Sequence, residues 1–280
     1  MRPFNVLLSA LLAISCSSVT FVYTTVAHAQ EAIGQSFTIS ATDPTKNVPQ
    51  HLSVTDHRPV SAAVTELVRQ HHWVVTYEDP FYENLSELQD ITWQVAKPGR
   101  PAPPKQLFAY EGLIELTYSH TDGAGAVTNS LLEAYHKSGH GYEFTLTRSG
   151  SMLHVTPALS RDAGGVPRAR QSRLDLPVTV AAADRTVGEF LVAVLIEVQR
   201  VSGRKISVSF APSPFADTKF AEPVRNEKAQ SAIGRALAAT GRDYSWQLLC
   251  GVGSNPTCVL NLTMIPDHWR VPTEADSGGR

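Results

Sequence analysis

Apolar residues recur at a spacing of three and four positions in four stretches of the chain. The strongest of these stripes covers residues 187–198 and is followed by Gly203, which would end a helix. This spacing places the apolar side chains on one helix face, where they can pack against a core. The pattern predicts helices over residues 60–71, 126–137, 187–202 and 229–240.

Short runs of aliphatic and aromatic residues lie between these stripes and predict β-strands. Two pairs of runs flank turn-forming sequences, at residues 149–151 and 251–257, and each pair predicts a hairpin. The predicted strands cover residues 52–55, 73–77, 113–118, 142–147, 152–156, 176–180, 206–210, 220–224, 244–249 and 259–265.

The order of predicted elements is the same in both halves of the chain: strand, helix, strand, then strand, helix, hairpin. A duplicated unit explains that order. We therefore expect an α+β fold made of two related small modules, each a short mixed sheet with two helices packed on one face. The first module covers residues 52–160 with a Pro-rich insertion at 97–104, and the second covers 174–266. The Arg-rich residues 161–173 are expected to form a flexible, solvated linker.

The N-terminus has the pattern of an export signal. Arg2 precedes a long apolar stretch, and Ala27-His28-Ala29 supplies small residues one and three positions before a cleavage site. Residues 1–29 are therefore a predicted secretory signal peptide, cleaved after Ala29. Two alternatives remain open. One is an uncleaved membrane anchor, which the many Ser and Thr residues of the stretch disfavour, and the other is lipidation of Cys16.

The composition is that of a globular protein. Hydrophobic residues make up 42% and charged residues 18% of the 280 residues, which excludes a wholly disordered chain, collagen and a coiled coil. The formal net charge is -2 at pH 7, so we expect no nucleic-acid partner, which would require a dense face of Lys and Arg. Residues 30–51 form an expected polar leader, and residues 267–280 form an expected disordered tail.

Cysteine usage agrees with export. Without the predicted signal peptide, the chain keeps only Cys250 and Cys258, on either side of the last hairpin loop. An even pair of cysteines in an oxidising compartment predicts a disulfide. The alternative is a redox-active pair or a metal site, but the C-x-x-C spacing typical of such sites is missing.

The sequence offers little material for catalysis. It contains no G-x-S-x-G, H-E-x-x-H or P-loop motif, so we expect no catalytic residue and no cofactor. His136 and His140 are the candidate metal ligands, because glutamates lie nearby, but Gly139 breaks the helix that would align them. The adjacent Glu78 and Asp79 favour a solvated turn over an acid–base pair.

Short sequence marks of one family recur along the second predicted module. The first is a helix that ends in Gly before a strand. The second is a later series of Ala-Leu, Thr-Gly and aromatic residues. The positions that carry the resemblance are residues 186–187, 203–208, 224–226, 236–237, 240–241 and 244–246. This series resembles the short N-terminal domain shared by secretins and TonB-dependent receptors, the STN-like domain. The resemblance is clearest over residues 176–265, and residues 52–157 match it in outline.

The resemblance implies a small periplasmic α+β interaction module of a Gram-negative envelope. In family members this module meets signalling partners or neighbouring subunits, and it has no catalytic residues. No outer-membrane barrel, plug or secretin pore region follows Arg280, so we do not expect a receptor or a secretin proper.

These observations lead to one expected function and one alternative. We expect an exported, non-enzymatic protein that binds an envelope protein partner in the periplasm and has no transmembrane segment in its mature chain. The open edges of its small sheets are the expected contact sites. The alternative is an envelope hydrolase or a small-ligand-binding protein that uses residues 78–125 as a pocket wall.

Overall fold

The computed structural model describes residues 36–40, 49–95, 105–119, 121–209, 213–252 and 257–266. Several sequence predictions lie outside these residues. They are the signal peptide with its cleavage site at Ala29, the lipidation alternative at Cys16, most of the polar leader at 30–51, the Pro-rich residues 97–104 and the tail at 267–280.

Helices and short strands alternate along the described residues, and the predicted α+β class is confirmed. The helices are α1 (Pro59–His71), α2 (Thr92–Val95), α3 (Ala124–Lys137), α4 (Val187–Ser202), α5 (Pro214–Asp217) and α6 (Ala229–Ala238). The strands are β1 (Ser36–Ser40), β2 (Gln50–Asp56), β3 (Val75–Glu78), β4 (Leu88–Asp90), β5 (Leu107–Ala109), β6 (Gly112–Tyr118), β7 (Glu143–Ser149), β8 (Met152–Arg161), β9 (Pro167–Ala169), β10 (Pro177–Val180), β11 (Ile206–Val208), β12 (Val224–Lys228), β13 (Asp243–Cys250) and β14 (Cys258–Ile265).

Local chemistry explains where α4 begins and ends. The Thr186 side chain accepts a hydrogen bond from the Glu189 N–H, while the Glu189 carboxylate accepts one from the Thr186 N–H at 2.7 Å. This reciprocal capping satisfies two backbone donors that the first turn leaves unpaired. At the other end, Gly203 has φ 70°, a left-handed conformation that glycine adopts without a steric penalty.

The two halves of the chain share one sheet. Its strand order is β11-β14-β13-β3-β8-β7, and β9 pairs with the end of β8. The junction between the halves is the parallel pair of β13 and β3, where Gln247 lies opposite Tyr77 and Leu248 opposite Glu78. Smaller sheets are formed by β1-β2-β6, by β10-β12 and by β4-β5. The prediction of two separate modules, each with its own sheet, is therefore not confirmed.

Strand pairing follows one pattern in both halves. In the first, β2 is antiparallel to β6, β3 is parallel to β8, and β7 and β8 form an antiparallel hairpin. In the second, β10 is antiparallel to β12, β11 is parallel to β14, and β13 and β14 form the hairpin.

Each helix pair lies between two sheets and not on one face of a single sheet, which corrects the predicted packing. Helix α1 contacts β2 and β6 of the three-stranded sheet as well as β3 of the large sheet, and α4 likewise contacts both β10 and β11. The apolar stripe of α4 is buried at Val187, Phe190, Leu191, Val194, Leu195 and Val198. Apolar residues on the flanking strands complete a separate core in each half.

The residues predicted to form a flexible linker, 161–173, are partly in regular structure. They include the end of β8, all of β9 and the start of a 3-10 turn at Arg173–Asp175. Arg173 is only 3% exposed, and its guanidinium donates to Glu78 Oε1 at 3.2 Å and to the Asp79 carbonyl at 2.7 Å. The prediction of a solvated charge cluster is wrong for Arg173, because these oxygen acceptors replace water around it.

Candidate functional site

The predicted disulfide is present. Cys250 and Cys258 lie directly opposite each other at the loop end of the β13–β14 hairpin, and their sulfur atoms are bonded at 2.06 Å. Disulfides persist in oxidising compartments, so the pair indicates a location outside the cytoplasm.

The structure does not assemble the candidate metal ligands. His136 is exposed on α3, whereas His140 follows the helix, is half-buried and stacks on the Tyr135 ring at 4.7 Å. Burial lowers the pKa of His140, which favours the neutral imidazole. Among the described residues, no group of three or more His, Cys, Asp or Glu side chains is placed to hold a metal ion.

The first half contains a cavity of about 310 Å³. One wall is formed by residues 80–87 and 109–110, which belong to the segment that the alternative function assigned to a pocket wall. The remaining walls come from the start of α1, the residues after α3 and the end of β8. The polar and aromatic side chains that line it are His57, Arg58, Tyr77, Tyr82, Asn84, Ser86, Glu87, Tyr110, Tyr135, His140, Tyr142, Phe144 and Arg161.

A buried carboxylate, Asp79, holds one side of the cavity in place. It is fully buried and accepts hydrogen bonds from Arg58 Nε at 2.8 Å, from the Tyr77 hydroxyl at 2.9 Å and from the Tyr82 hydroxyl at 3.3 Å. It also accepts from the Cys250 N–H at 2.7 Å, and Arg58 Nη2 donates to the Cys250 carbonyl at 2.8 Å. The network therefore fastens the cavity to the disulfide-bonded hairpin of the second half.

The pKa values of this network fix its protonation states. Burial alone would lower the pKa of Arg58, but the Asp79 carboxylate, together with smaller contributions from Tyr82 and Tyr77, raises it above its ordinary value. Burial, and then Asp79, raise the pKa values of Tyr77 and Tyr82 well above the ordinary value. Arg58 is thus charged, and both phenols remain protonated donors at neutral pH.

Three side chains of the cavity lining face other polar groups: His57 Nε2 lies 3.7 Å from Glu111 Oε1, and the Tyr142 hydroxyl interacts with the Glu87 carboxylate. His57 is 7% exposed and Tyr142 is 5% exposed. Burial, followed by a hydrogen bond to the Glu87 carboxylate, raises the pKa of Tyr142, so its hydroxyl keeps its proton.

The other atoms of these side chains are fixed. His57 Nδ1 lies 2.7 Å from the Ala109 carbonyl, to which it donates a hydrogen bond. Glu87 Oε1 lies 3.2 Å from Arg161 Nε. A Cβ atom on Gly141 would overlap the Glu87 carboxylate, so a larger residue there would displace the carboxylate. His57 and Glu87 are therefore each held by a contact at a second polar atom.

The burial of the two adjacent carboxylates at the end of β3 was not predicted. Glu78 and Asp79 are both fully buried, which corrects the prediction of a solvated turn. Glu78 accepts from the Ser172 hydroxyl at 2.5 Å and from the Arg173 N–H at 2.7 Å. These partners are more than ninety residues away in the sequence, so no local spacing could have indicated them.

A second polar cluster joins the halves around Phe81. The guanidinium groups of Arg170, Arg173 and Arg204 lie 4.9, 3.8 and 4.8 Å from its ring centroid. Glu83 pairs with Arg170 at 2.6 Å and with Arg204 at 3.7 Å. Cation–π and ionic contacts therefore connect three separate parts of the chain at the junction.

Comparison of the chain with protein-family models, with curated proteins and with solved structures finds no match. Within the described residues, no helix has the length and apolar character needed to cross a membrane.

Proposed function

We propose that the protein is exported to the periplasm of a Gram-negative bacterium and acts there, without catalysis, by binding another envelope protein. Export is supported by the predicted signal peptide at residues 1–29 and by the disulfide between Cys250 and Cys258. The observation that carries the proposal is the repeated strand pairing, in which both halves place a helix pair between a small sheet and the shared sheet. A duplication of one interaction module accounts for this repetition.

Local features of the second half support its resemblance to the STN-like domain. Helix α4 ends at Gly203 just before β11, and α6 is followed by a turn that includes Gly241, whose φ is 70°. The aromatic residues of the series, Tyr244 and Trp246, are 2% and 1% exposed. The sequence marks thus correspond to helix ends and core positions, which are the features that define such a module.

The edge strand β11 is the contact site that we assign to the partner. Among the described strands it pairs with β14 only, and Ser207 in its middle is exposed. The Lys205 carbonyl and the Ser209 N–H both bond to β14. Since backbone groups alternate along a strand, the Val208 N–H points away from β14 and is available to an added strand.

Site-specific photo-crosslinking in producing cells tests this assignment. We expect a photoreactive residue at Ser207 to give one discrete adduct with an envelope protein, and the same residue at the exposed control position Glu133 on α3 to give none. Val208→Pro removes the outward donor and should abolish the Ser207 adduct, while circular dichroism confirms that the variant is folded. An adduct that persists in Val208→Pro, or that forms equally at Glu133, would contradict the proposal, as would no adduct at Ser207.

A further inference from the structure

A second cavity, of about 430 Å³, lies at the end of the last hairpin. The second half of α1 and its C-cap form one wall, and the last residues of β14, with Ser245 of β13, form the other. The cavity therefore lies between a helix of the first half and two strands of the second half. A side chain that filled it would contact both halves.

The lining of this second cavity favours an apolar occupant. The Thr65 hydroxyl donates to the Ser61 carbonyl at 2.9 Å, and the Ser245 hydroxyl donates to the Val75 carbonyl, so both hydroxyl groups already have an acceptor. Four apolar side chains also line the cavity, namely Val68, Met264, Ile265 and Pro266. A polar ligand would lose hydrogen bonds to water here without full replacement, whereas an apolar group would gain from burial.

Two exposed side chains of the lining favour an aromatic group in particular. Met264 is 44% exposed, although Ile265 beside it is only 5% exposed. A thioether sulfur makes favourable contacts with aromatic rings. The Arg69 side chain is 67% exposed, and a guanidinium group is attracted to the face of an indole or phenyl ring.

The chain itself supplies an aromatic residue at this place. Residues 267–271, Asp-His-Trp-Arg-Val, lie outside the described residues and directly follow Pro266, which lines the cavity. Three residues of extended chain span about 10 Å, so Trp269 can reach the cavity from Pro266 without any change in the described fold. We propose that the C-terminal segment 267–271 docks on the second cavity, with the Trp269 ring inside it.

The docked segment connects the two halves. An aromatic side chain such as that of Trp269 buries about 150–250 Å² of surface, here against α1 on one side and β14 on the other. For these five residues the proposal replaces the sequence-based expectation of a disordered tail. The site is separate from the partner site at β11 and does not rest on the proposed function.

Fluorine NMR of the full chain labelled with 5-fluorotryptophan tests the proposal. The chain has four tryptophans, and single Trp→Phe variants assign their signals. Trp246 is 1% exposed and Trp93 is 74% exposed, so the same sample contains a buried and an exposed reference. With a soluble neutral gadolinium chelate, we expect the broadening of the Trp269 signal to match that of Trp246 and to be several-fold smaller than that of Trp93.

Variants of the cavity wall show whether this cavity provides the protection. Met264→Glu places a charge in the lining and should broaden the Trp269 signal as strongly as that of Trp93, while Trp246 stays protected because the fold is intact. Leu113→Glu is the matched control, since Leu113 on β6 is 47% exposed and does not line the cavity. Thr263→Arg, at a second exposed position of the lining, provides the same test if Met264→Glu does not fold.

A dye-binding measurement examines the empty cavity. Trp269→Ala should increase the fluorescence of 8-anilinonaphthalene-1-sulfonate several-fold, because the apolar lining becomes accessible, and Trp93→Ala should not.

Four results would overturn the proposal. The first is a Trp269 signal as accessible as that of Trp93 in the wild type, and the second is a Trp269 signal that stays protected in folded Met264→Glu or Thr263→Arg. The third is protection that disappears on dilution, which would assign the docked tryptophan to a second copy of the chain. The fourth is equal dye binding by Trp269→Ala and Trp93→Ala.

Discussion

Replacing Arg173 by alanine should destabilise the protein strongly, because it leaves the carboxylate of Glu78 buried without its cation. Both side chains are almost fully buried, at 2% and 0% exposure. The variant also removes the donors to the carbonyls of Asp79 and Pro80, which lie 2.7 and 3.3 Å from the guanidinium. Breaking a buried pair by removal of one partner costs about 3–5 kcal/mol, a large share of the roughly 5–15 kcal/mol that stabilises a typical protein.

The pH dependence of Arg173→Ala provides a second test of the same reasoning. Burial raises the pKa of Glu78 above its ordinary value, and Arg173 opposes this rise, so the pKa rises further in the variant. A carboxyl group whose pKa is raised by folding contributes stability below its unfolded pKa, and this contribution is lost as the pH increases through the folded pKa. The deficit of the variant should therefore be largest at neutral pH and should shrink as the pH is lowered.

Urea denaturation of the wild type and the variant at several pH values measures both effects. The double variant Glu78→Gln with Arg173→Met removes both charges and should recover most of the loss. Arg200→Ala, which breaks an exposed pair with Glu197, should leave the free energy of unfolding nearly unchanged. A loss below about 0.5 kcal/mol for Arg173→Ala, or a deficit that does not vary with pH, would refute the assignment of a buried ion pair.

Three further predictions concern the disulfide and the glycines. Replacing Cys250 and Cys258 together by serine should lower the free energy of unfolding by about 2.5 kcal/mol, and a reducing agent should lower it by a similar amount in the wild type but not in the variant. Gly203→Ala should lower the free energy of unfolding by about 1 kcal/mol, because Gly203 has a positive φ. Gly234→Ala within α6 should raise it by up to about 1 kcal/mol, because an added Cβ there meets nothing within 4 Å. Equal effects of the two substitutions would contradict this reasoning. Gly141→Ala should cost about 1–3 kcal/mol in thermal or urea unfolding, because the Glu87 carboxylate must move, and an unchanged stability would show that the carboxylate is not fixed there.

The helices were predictable because their apolar stripes are local signals. The stripe of α4 and its end at Gly203 both lie within one stretch of sequence, and every apolar residue that the stripe placed inwards is buried. The β13–β14 hairpin was predictable for the same reason, since its turn and its two cysteines are close together in the chain. Periodicity and turn residues determine such elements without reference to the rest of the molecule.

The joining of the halves was not predictable, because it depends on partners far apart in the sequence. No pattern within β3 or β13 states that Tyr77 will lie opposite Gln247. Once they pair, Glu78 and Asp79 are carried into the interior, where arginines and backbone groups from distant segments compensate them. A charged residue is expected to be solvated unless it has buried partners, and the sequence alone does not reveal partners that lie far away in the chain.

The cavity presents the same difficulty in a stronger form. His57, Glu87 and Tyr142 come from three separate connections, and no spacing rule relates them. The length of the segment between β3 and β6 was the only sequence signal that the first half contains a cavity in addition to its two sheets and its helix pair.

The central structural claim of this account is that a single sheet runs through both halves. Amide hydrogen exchange tests it most directly. The Asp79 N–H donates to the Leu248 carbonyl at 2.9 Å, and the Cys250 N–H donates to Asp79, so both amides are protected only if β3 and β13 are paired. We expect both to exchange as slowly as the core amides of β8 and β14, through global unfolding. Fast exchange at Asp79 and Cys250, with β8 and β14 still protected, would show that the halves are independent and would contradict the account.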